Sequence, residues 1–241
     1  MDDRRLDTIE DLVGHRFDDR RLLADAVSTS ARGFGPLETL GDAIADFAVS
    51  LTCWRHGLDD AEAAHRVSNA VLDEIFERHL RGLVDAVSGD VVESLVGAVH
   101  LDGGFDAAAR LAVRWCCADL DWEPLGDVDV DEWVTVDDLE LPAGLASTAL
   151  DALVTDVIVR RLGLRVATQR DIHRLRVRVV DGPGRRRLAG RLGFRSSSSN
   201  RRGIAEPVRA GVLTTLLTAG WDRTRALLEP EVRIERVRRR R

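Results

Sequence analysis

The chain has 241 residues and contains no lysine, and its formal net charge is −6. A hydrophobic content of 44% is sufficient for ordinary cores, so the length predicts one large or two modest globular domains. No stretch approaches the length of a membrane-spanning helix, and no apolar segment follows the N-terminus as in a signal peptide, which favours a cytoplasmic protein without a membrane partner. The three cysteines contain no Cys-x-x-Cys pair and are interpreted as small buried thiols.

The charge is distributed unevenly along the chain. Residues 1–142 contain 12 arginines and 32 acidic residues, a net charge of −20, whereas residues 143–241 contain 23 arginines and 9 acidic residues, a net charge of +14. Guanidinium groups bind phosphate in a bidentate manner, so a basic half is typical of a protein with a polyanionic partner. The same arginines would also suit a merely solvated surface, and both interpretations stay open.

The first informative element in chain order is an apolar helix around residues 37–51 that carries two carboxylates. Glu38 and Asp42 are four residues apart and therefore share a face of this helix. Ala45 and Val49 continue the line of the carboxylates, and large apolar residues cover the rest of the circumference. A helix that is apolar on all sides is buried, so the two acids need a compensating partner.

A second apolar helix around residues 90–101 carries Asp90 and Glu93, which again share a face. Four anions in a largely apolar setting repel one another and lose hydration unless cations bind or protons are taken up. A divalent metal ion solves this problem. Mg²⁺ prefers oxygen ligands and fits four carboxylates without a nearby Cys or His set, and Mn²⁺ is a possible substitute.

The two helices resemble those of the ribonuclease III family. The segment that ends at Asp42 matches the family motif Glu-Arg-Leu-Glu-Phe-Leu-Gly-Asp, and the segment that starts at Asp90 matches Asp-x-x-Glu-Ala-x-x-Gly-Ala followed by Leu-Asp-Gly-Gly. The resemblance covers residues 8–118. Three further segments are similar to other helices of the family: residues 12–17, 22–27 and 66–69.

Three positions depart from the family pattern. Gly35 stands where the family has its first Glu, Thr39 replaces a Phe of the family's dimer interface, and Thr29 replaces a His. The four acidic positions all match, and the resemblance implies that these residues are catalytic and bind the metal: Glu38, Asp42, Asp90 and Glu93.

The resemblance implies a Mg²⁺-dependent endoribonuclease that hydrolyses the phosphodiester bonds of double-stranded or stem-loop RNA and leaves 5′-phosphate and 3′-hydroxyl ends. In such enzymes the metal activates the attacking water and stabilises the attacking and leaving oxygens of an in-line displacement. RNA is then recognised mostly by its A-form shape, phosphates and 2′-hydroxyls. No double-stranded-RNA-binding domain is evident in the sequence.

The C-terminal half contains a degenerate internal repeat of the same pattern. The acidic motifs recur at an offset of 109 residues for the first pair and 116 for the second, which aligns Trp221 with Phe105. The change of offset falls at the Ser-rich segment 196–202, interpreted as an inserted loop. The four acidic positions of the first copy are occupied in the second, in order, by Ser147, Asp151, Glu206 and Arg209.

The predicted fold is all-α, with tandem ribonuclease III-like helical domains that form a possible pseudo-dimer. The catalytic domain is assigned to residues 1–118, an acidic linker to 119–142, and a degenerate Arg-rich domain with a basic tail to 143–241. Since only the first copy keeps all four acids, one active site per chain is expected. A homodimer formed through the first halves, and a generic helical bundle without duplication, stay open as alternatives.

Five arginines of the second copy are the leading candidates for contacts with RNA phosphates: Arg185, Arg186, Arg187, Arg191 and Arg195. Two other functions stay open. A non-catalytic RNA-binding or ribosome-associated protein is favoured by Gly35, Thr39 and the degenerate copy, but retention of all four acids argues against it. An all-helical nucleotide pyrophosphohydrolase would also place acids around Mg²⁺, but the Leu-Asp-Gly-Gly-Phe segment disfavours it.

Overall fold

The structure, a computed structural model, describes residues 3–85, 88–126, 141–194 and 205–232, with side chains of the last segment described from residue 207. Within these ranges one isolated bridge is the only β-structure, so the all-α prediction is confirmed. None of the described helices combines the length and apolarity that crossing a membrane requires. The described helices are α1 (Asp3–Val13), α2 (Arg20–Ala26), α3 (Phe34–Arg55), α4 (Asp60–Arg66), α5 (Asn69–His79), α6 (Asp90–Gly103), α7 (Phe105–Cys116), α8 (Ala143–Leu162), α9 (Gln169–Val180), α10 (Gly182–Arg191) and α11 (Ala205–Leu228).

The chain divides into two compact units. The first comprises Met1–Pro124 with Leu164–Val166, and the second comprises Leu125–Gly163 with Ala167–Arg241. The domain limits expected from the sequence stay predictions, because residues 127–140 of the predicted acidic linker lie outside the described residues.

Two apolar helices, α3 and α6, form the core of the first unit. Fourteen of the 22 residues of α3 and nine of the 14 residues of α6 are buried, as expected for helices that are apolar on all sides. Burial of apolar surface at about 25 cal/mol per Å² is the main force that holds them together. Cys53 and Cys117 are buried in this unit, Cys116 is half-buried, and none of the three forms a disulfide.

A glycine separates α6 from α7. Gly104 has φ 83°, a left-handed conformation that favours glycine, and α7 begins at the next residue. Phe105 then packs against Phe47 of α3, with 5.7 Å between ring centroids, and against the indole of Trp122. The turn at Gly104 therefore directs α7 back onto the core of the first unit.

The second unit contains a similar interruption at a glycine. Its last helix, α11, is interrupted at Gly220, whose φ of 74° and ψ of 178° are close to the 83° and 180° of Gly104. Gly220 lies 116 residues after Gly104, and Trp221 follows it as Phe105 follows Gly104. In this respect the two halves of α11 resemble α6 and α7.

A buried pair of side chains also recurs at the repeat spacing. In the second unit Trp221 donates a hydrogen bond from Nε1 to Asp156 Oδ2 at 3.1 Å, and Asp156 lies 109 residues after Phe47. Phe47 and Phe105 are thus the counterparts of Asp156 and Trp221. The two offsets predicted from the sequence therefore relate one contacting pair to another. The contact is apolar in the first unit and a hydrogen bond in the second.

Candidate metal centre and its counterpart in the second unit

Glu38 and Asp42 lie one helical turn apart on α3, and both are half-buried. Asp90 and Glu93 lie in the first turn of α6, where Asp90 is exposed and Glu93 is half-buried. The N-terminus of a helix carries partial positive charge, which favours carboxylates in its first turn. Asp73 also supports this helix start, because its carboxylate accepts a hydrogen bond from the backbone N–H of Gly89 at 2.7 Å.

Two glycines bring the acidic helices together. A methyl group on Gly41 would lie 1.7 Å from the carbonyl oxygen of Glu93, and one on Gly97 would lie 2.1 Å from the carbonyl oxygen of Leu37. The backbones of α3 and α6 are therefore in direct contact where the helices cross. Leu37 immediately precedes Glu38, so the crossing places the carboxylates of the two helices beside each other.

The structure brings three of the four predicted ligands into one group. Carboxylate oxygens of Glu38, Asp90 and Glu93 all lie within 4.8 Å of one another, a spacing at which they could hold a metal ion. Asp42 is not a member of this three-residue group. It lies close enough for its negative charge to act on Glu93, as the pKa of that residue shows.

Burial and the neighbouring carboxylates raise the pKa of Glu93 to about 8. Desolvation is the larger cause, and the negative charges of nearby acids follow, with Asp42 first among them. The raised pKa of Glu93 indicates that this buried group of acids carries more negative charge than its surroundings compensate. A bound divalent cation would remove the penalty and leave all the acids ionised.

Asp46 is a fifth carboxylate near this group and was not among the residues predicted from the sequence. It is half-buried on α3, one turn after Asp42, and its charge contributes to the raised pKa of Glu93. Ala45 and Val49, which were expected to continue the line of the carboxylates, are both buried. The spacing from Asp42 to Asp46 is the signal that would have identified it.

The Cys116 thiol interacts electrostatically with two of these acids. Burial raises the pKa of Cys116 to about 12, with further contributions from Cys117 and from the charges of Glu93 and Asp46. The thiol is therefore protonated at neutral pH in the metal-free chain. The group that could hold a metal consists of carboxylates alone, which suits a hard cation such as Mg²⁺ or Mn²⁺.

Asp102, the acid of the Leu-Asp-Gly-Gly segment, does not belong to this group of carboxylates. Asp102 is bonded to the His15 ring at 2.7 Å from Nε2 and accepts hydrogen bonds from the backbone N–H groups of Asp18 and Asp19. These bonds lower the pKa of Asp102 against the effect of burial. Asp102 thus ties the end of α6 to the segment before α2, and its role is structural.

Two of the three departures from the family motif, Gly35 and Thr39, lie on α3, and Thr29 precedes this helix. Thr39 is half-buried on α3 and donates a hydrogen bond from its hydroxyl to the carbonyl of Gly35 at 2.9 Å, and Thr29 is exposed. None of the three replaces a carboxylate of the group that could hold a metal.

The second unit places different chemistry at the matching positions. Ser147 donates a hydrogen bond to the Ala143 carbonyl at 2.9 Å, Asp151 is half-buried on α8, and Arg209 is half-buried on α11. The side chain of Glu206 lies outside the described residues. Leu150 and Leu213, each 1% exposed or less, occupy the positions of Gly41 and Gly97.

The arginines proposed to contact phosphate differ in exposure. Arg186, Arg187 and Arg191 are exposed and Arg185 is half-buried, while Arg195 lies outside the described residues. Arg187 donates to the Arg178 carbonyl at 3.2 Å, and Arg191 donates to that of Glu231 at 2.8 Å. A cavity of about 400 Å³ opens between α9, α10 and Glu231, and three arginines line it beside an apolar floor: Arg178, Arg187 and Arg191.

Comparison with known proteins identifies bacterial relatives. Ribonuclease 3 of Bordetella pertussis is 38% identical over 133 residues, which cover 45% of this chain and 52% of that protein. Ribonuclease 3 of Bordetella avium is 35% identical over 148 residues, with 50% and 59% covered, and that of Ectopseudomonas mendocina is 33% identical over 150 residues, with 52% and 66% covered. The chain thus spans little more than half the length of the first of these relatives. No protein-family model matches it.

Proposed function

We propose, on the premise that this chain is related to the ribonuclease III family, that it is an endoribonuclease that hydrolyses phosphodiester bonds of double-stranded or stem-loop RNA. The activity requires a divalent metal ion, Mg²⁺ or, in its place, Mn²⁺. Each chain carries one working site, formed by four residues: Glu38, Asp42, Asp90 and Glu93.

The convergence of carboxylates at the α3–α6 crossing carries this proposal. Three of them lie within 4.8 Å of one another, and the pKa of Glu93 is raised to about 8. Such an arrangement is unfavourable for a purely structural role, because like charges repel and burial costs hydration. A donor set made of carboxylates fits a hard divalent cation.

Glu38, Asp90 and Glu93 would hold the metal ion. When bound, the ion supplies activation of the attacking water and stabilisation of the charge on the phosphate oxygens. Asp42 and Asp46 add negative potential that attracts the cation. The backbone contact at Gly41 and Gly97 fixes the two helices, so the ligands are positioned before the ion arrives.

RNA binding is assigned to the second unit, whose sequence beyond residue 142 has a net charge of +14. Exposed arginines of α10 would contact phosphates along the A-form backbone, as proposed for Arg186, Arg187 and Arg191. We interpret this unit as a degenerate copy of the first. The matching conformations of Gly104 and Gly220 and the matching buried pairs support that interpretation.

Two modes of assembly follow from the repeat. If the two units of one chain pair with each other, the protein is a monomer with one working site and nicks one strand of a duplex at a time. If the first units of two chains pair, it is a homodimer with two sites and paired cuts. Light scattering gives the mass, and a duplex labelled separately on each strand shows whether nicked intermediates accumulate.

Incubation with labelled duplex RNA tests the proposed activity. We expect cleavage with Mg²⁺, none with EDTA, and 5′-phosphate ends on the products. Binding of duplex RNA without cleavage would instead favour a non-catalytic RNA-binding protein. Hydrolysis of members of a nucleotide panel with RNA left intact would favour a nucleotide pyrophosphohydrolase.

A further inference from the structure

The second unit contains a cavity of about 400 Å³ between α9 and α10, here called the α9–α10 cavity. Three arginines that are exposed to solvent line it: Arg178, Arg187 and Arg191. Aliphatic side chains form its floor: Leu175, Val179 and Leu188. Small-molecule sites in proteins have volumes of about 300–1,000 Å³, so a ligand of the size of one nucleotide fits this space.

Backbone contact between α9 and α10 fixes the shape of the cavity. A methyl group on Gly184, which also lines the cavity, would lie 2.1 Å from the carbonyl oxygen of Arg178. Asp181 caps α10, because its side chain accepts a hydrogen bond from the backbone N–H of Gly184. Leu175 and Leu188 are buried, so the floor belongs to the core of the unit. The cavity is therefore built between two helices that backbone and core contacts hold together.

Two of the three guanidinium groups are held at the cavity by backbone carbonyls. Arg187 donates from Nη2 to the carbonyl of Arg178 at 3.2 Å, and Arg191 donates from Nη1 to the carbonyl of Glu231 at 2.8 Å. A guanidinium group has several N–H donors, so each of these bonds leaves donors for a ligand. The oxygens of a phosphate group match the planar guanidinium fork.

Positive charge prevails among the side chains that line the α9–α10 cavity. In the described part of the chain, three guanidinium groups are opposed by one carboxylate, that of Glu231. The neighbouring sequence does not reverse this balance. Residues 195–206 and 233–241, whose side chains lie outside the described residues, contain nine arginines and two acids, Glu206 and Glu235. A cleft with an excess of one charge attracts ligands of the opposite charge, so we expect an anionic ligand.

The combination of arginines with an aliphatic floor favours a nucleotide over a simple anion. Inorganic phosphate would leave the floor exposed to water, whereas a base would cover it. Guanidinium planes also stack on unpaired bases. Glu231 supplies an acceptor beside Arg191, with 3.8 Å between Oε2 and Nε, and the amino group of a base can donate to such a carboxylate.

We propose that the α9–α10 cavity binds one unpaired nucleotide of an RNA, with the phosphate on the guanidinium groups and the base on the aliphatic floor. The identification of RNA as the source of the nucleotide rests on the proposed function. A paired base must first be extruded from the stack, at a cost in free energy that a bulge, a loop or a strand end does not require. The cavity therefore selects stem-loop or bulged RNA over a fully paired duplex.

The experiment uses the full chain in EDTA, so that no metal-dependent cleavage interferes. Fluorescence anisotropy compares two labelled RNAs with the same stem, one fully paired and one with a single bulged adenosine. The parent should bind the bulged RNA at least about fivefold more tightly, which is the lower end of the effect of stacking one base. Equal affinities for the two RNAs would overturn the proposal.

The ratio of these two affinities separates the cavity from the general charge of the unit. Arg187→Gln/Arg191→Gln should weaken binding of both RNAs and reduce the ratio to less than about twofold. The matched control, Arg170→Gln/Arg174→Gln, removes the same charge from exposed positions of α9 that do not line the cavity, and it should keep the ratio of the parent. A control that loses the ratio as the Arg187/Arg191 variant does would contradict a role of the cavity.

The aliphatic floor is tested without a change of charge. Val179 is half-buried, and Val179→Trp should fill the cavity and reduce the ratio to less than about twofold, with the affinity for the paired RNA unchanged. Circular dichroism and the melting temperature check the fold of each variant. A folded Val179→Trp variant with the ratio of the parent would show that no base lies on the floor.

Competitors identify the source of the ligand. An excess of adenosine monophosphate should reduce the affinity for the bulged RNA to that for the paired RNA, and inorganic phosphate at equal concentration should not. Binding of adenosine monophosphate without a preference for bulged RNA would assign the cavity to a free nucleotide and overturn the RNA assignment. Stronger competition by an acidic peptide with the sequence of residues 127–140 would assign it to a peptide and overturn the proposal as well.

Cleavage in Mg²⁺ tests the proposed nuclease function separately. An absence of cleavage, together with a preference for bulged RNA that depends on Arg187 and Arg191, would remove the nuclease function and keep the nucleotide site. Cleavage of both RNAs without that preference would keep the nuclease function and remove the site.

Discussion

The two units place opposite charge on similar helical frameworks. In the first, Gly41 and Gly97 bring α3 and α6 into backbone contact, and carboxylates converge at the crossing. In the second, the buried Leu150 and Leu213 stand at the positions that the repeat aligns with these glycines, and the half-buried Asp151 is influenced by the charges of Arg176 and Arg185. The small residues at the first crossing suit its carboxylates, because groups that could share one metal ion must lie within a few ångströms of one another.

The largest expected effect comes from loss of a ligand in the first unit. Glu93→Gln should lower the cleavage of duplex RNA by at least about 100-fold with RNA binding nearly unchanged, since the change removes a ligand and leaves the Arg-rich unit intact. Single-turnover cleavage and anisotropy measure the two quantities. Asp106→Asn, which neutralises an exposed acid on α7, is the control. Cleavage by Glu93→Gln at the parent rate in saturating Mg²⁺ would show that the assigned site is wrong.

The glycine crossing predicts opposite effects for two glycine-to-alanine changes. Gly41→Ala should lower the free energy of unfolding by about 3 kcal/mol or more, because the new methyl group would lie 1.7 Å from a backbone carbonyl oxygen. Gly190→Ala on α10 meets nothing within 4 Å and should raise it by about 0.5–1 kcal/mol through helix propensity. Urea unfolding measures both. Equal stability of Gly41→Ala and parent would contradict close contact between α3 and α6.

Removal of the Arg-rich unit should leave an acidic fragment with low affinity for RNA. A fragment that ends at residue 142 loses 23 of the 35 arginines and has a net charge of −20, so it should bind duplex RNA at least about tenfold more weakly than the full chain. Anisotropy at several salt concentrations provides the measurement, and circular dichroism checks that the fragment is helical. A fragment with the affinity and salt dependence of the full chain would exclude the second unit from RNA binding.

A smaller effect is expected in the pH dependence of the metal-free protein. Glu93 has a pKa of about 8 when folded and an ordinary value of 4.5, so the folded chain retains a proton that the unfolded chain releases between these values. Stability should therefore fall as the pH rises from about 5 to 8 in EDTA. Glu93→Gln should flatten this slope, Asp46→Asn should reduce it, and Mg²⁺ should restore stability at pH 8.

Melting temperatures measured in EDTA at a series of pH values test the predicted fall in stability. Groups such as Asp102 and Asp119 have lowered pKa values, so the stability that they contribute is lost only as the pH falls below their ordinary value of 3.8, outside the window of interest. If the melting temperature of Glu93→Gln changed with pH in parallel with that of the parent between pH 5 and 8, the pKa of Glu93 would not be raised in the folded protein.

The sequence by itself identified the family relationship, the all-α fold and the acidic helices. Local spacing was sufficient for these inferences, because residues three or four apart share a helix face whatever surrounds the helix. The sequence also predicts an internal repeat, and its two offsets relate Phe47 and Phe105 to Asp156 and Trp221, which touch in the second unit.

Only the tertiary structure decided which helix faces pack against one another. Asp46 joins the surroundings of Glu93, and Asp102 instead ties α6 to the segment before α2, although both are acids in apolar helices. Helix periodicity assigns a side chain to a face but says nothing about the element that packs against it. Burial raises the pKa of Asp151, and the charges of Arg176 on α9 and Arg185 on α10 oppose this effect. Long-range packing decides which groups interact in this way, because it sets their distances and burial.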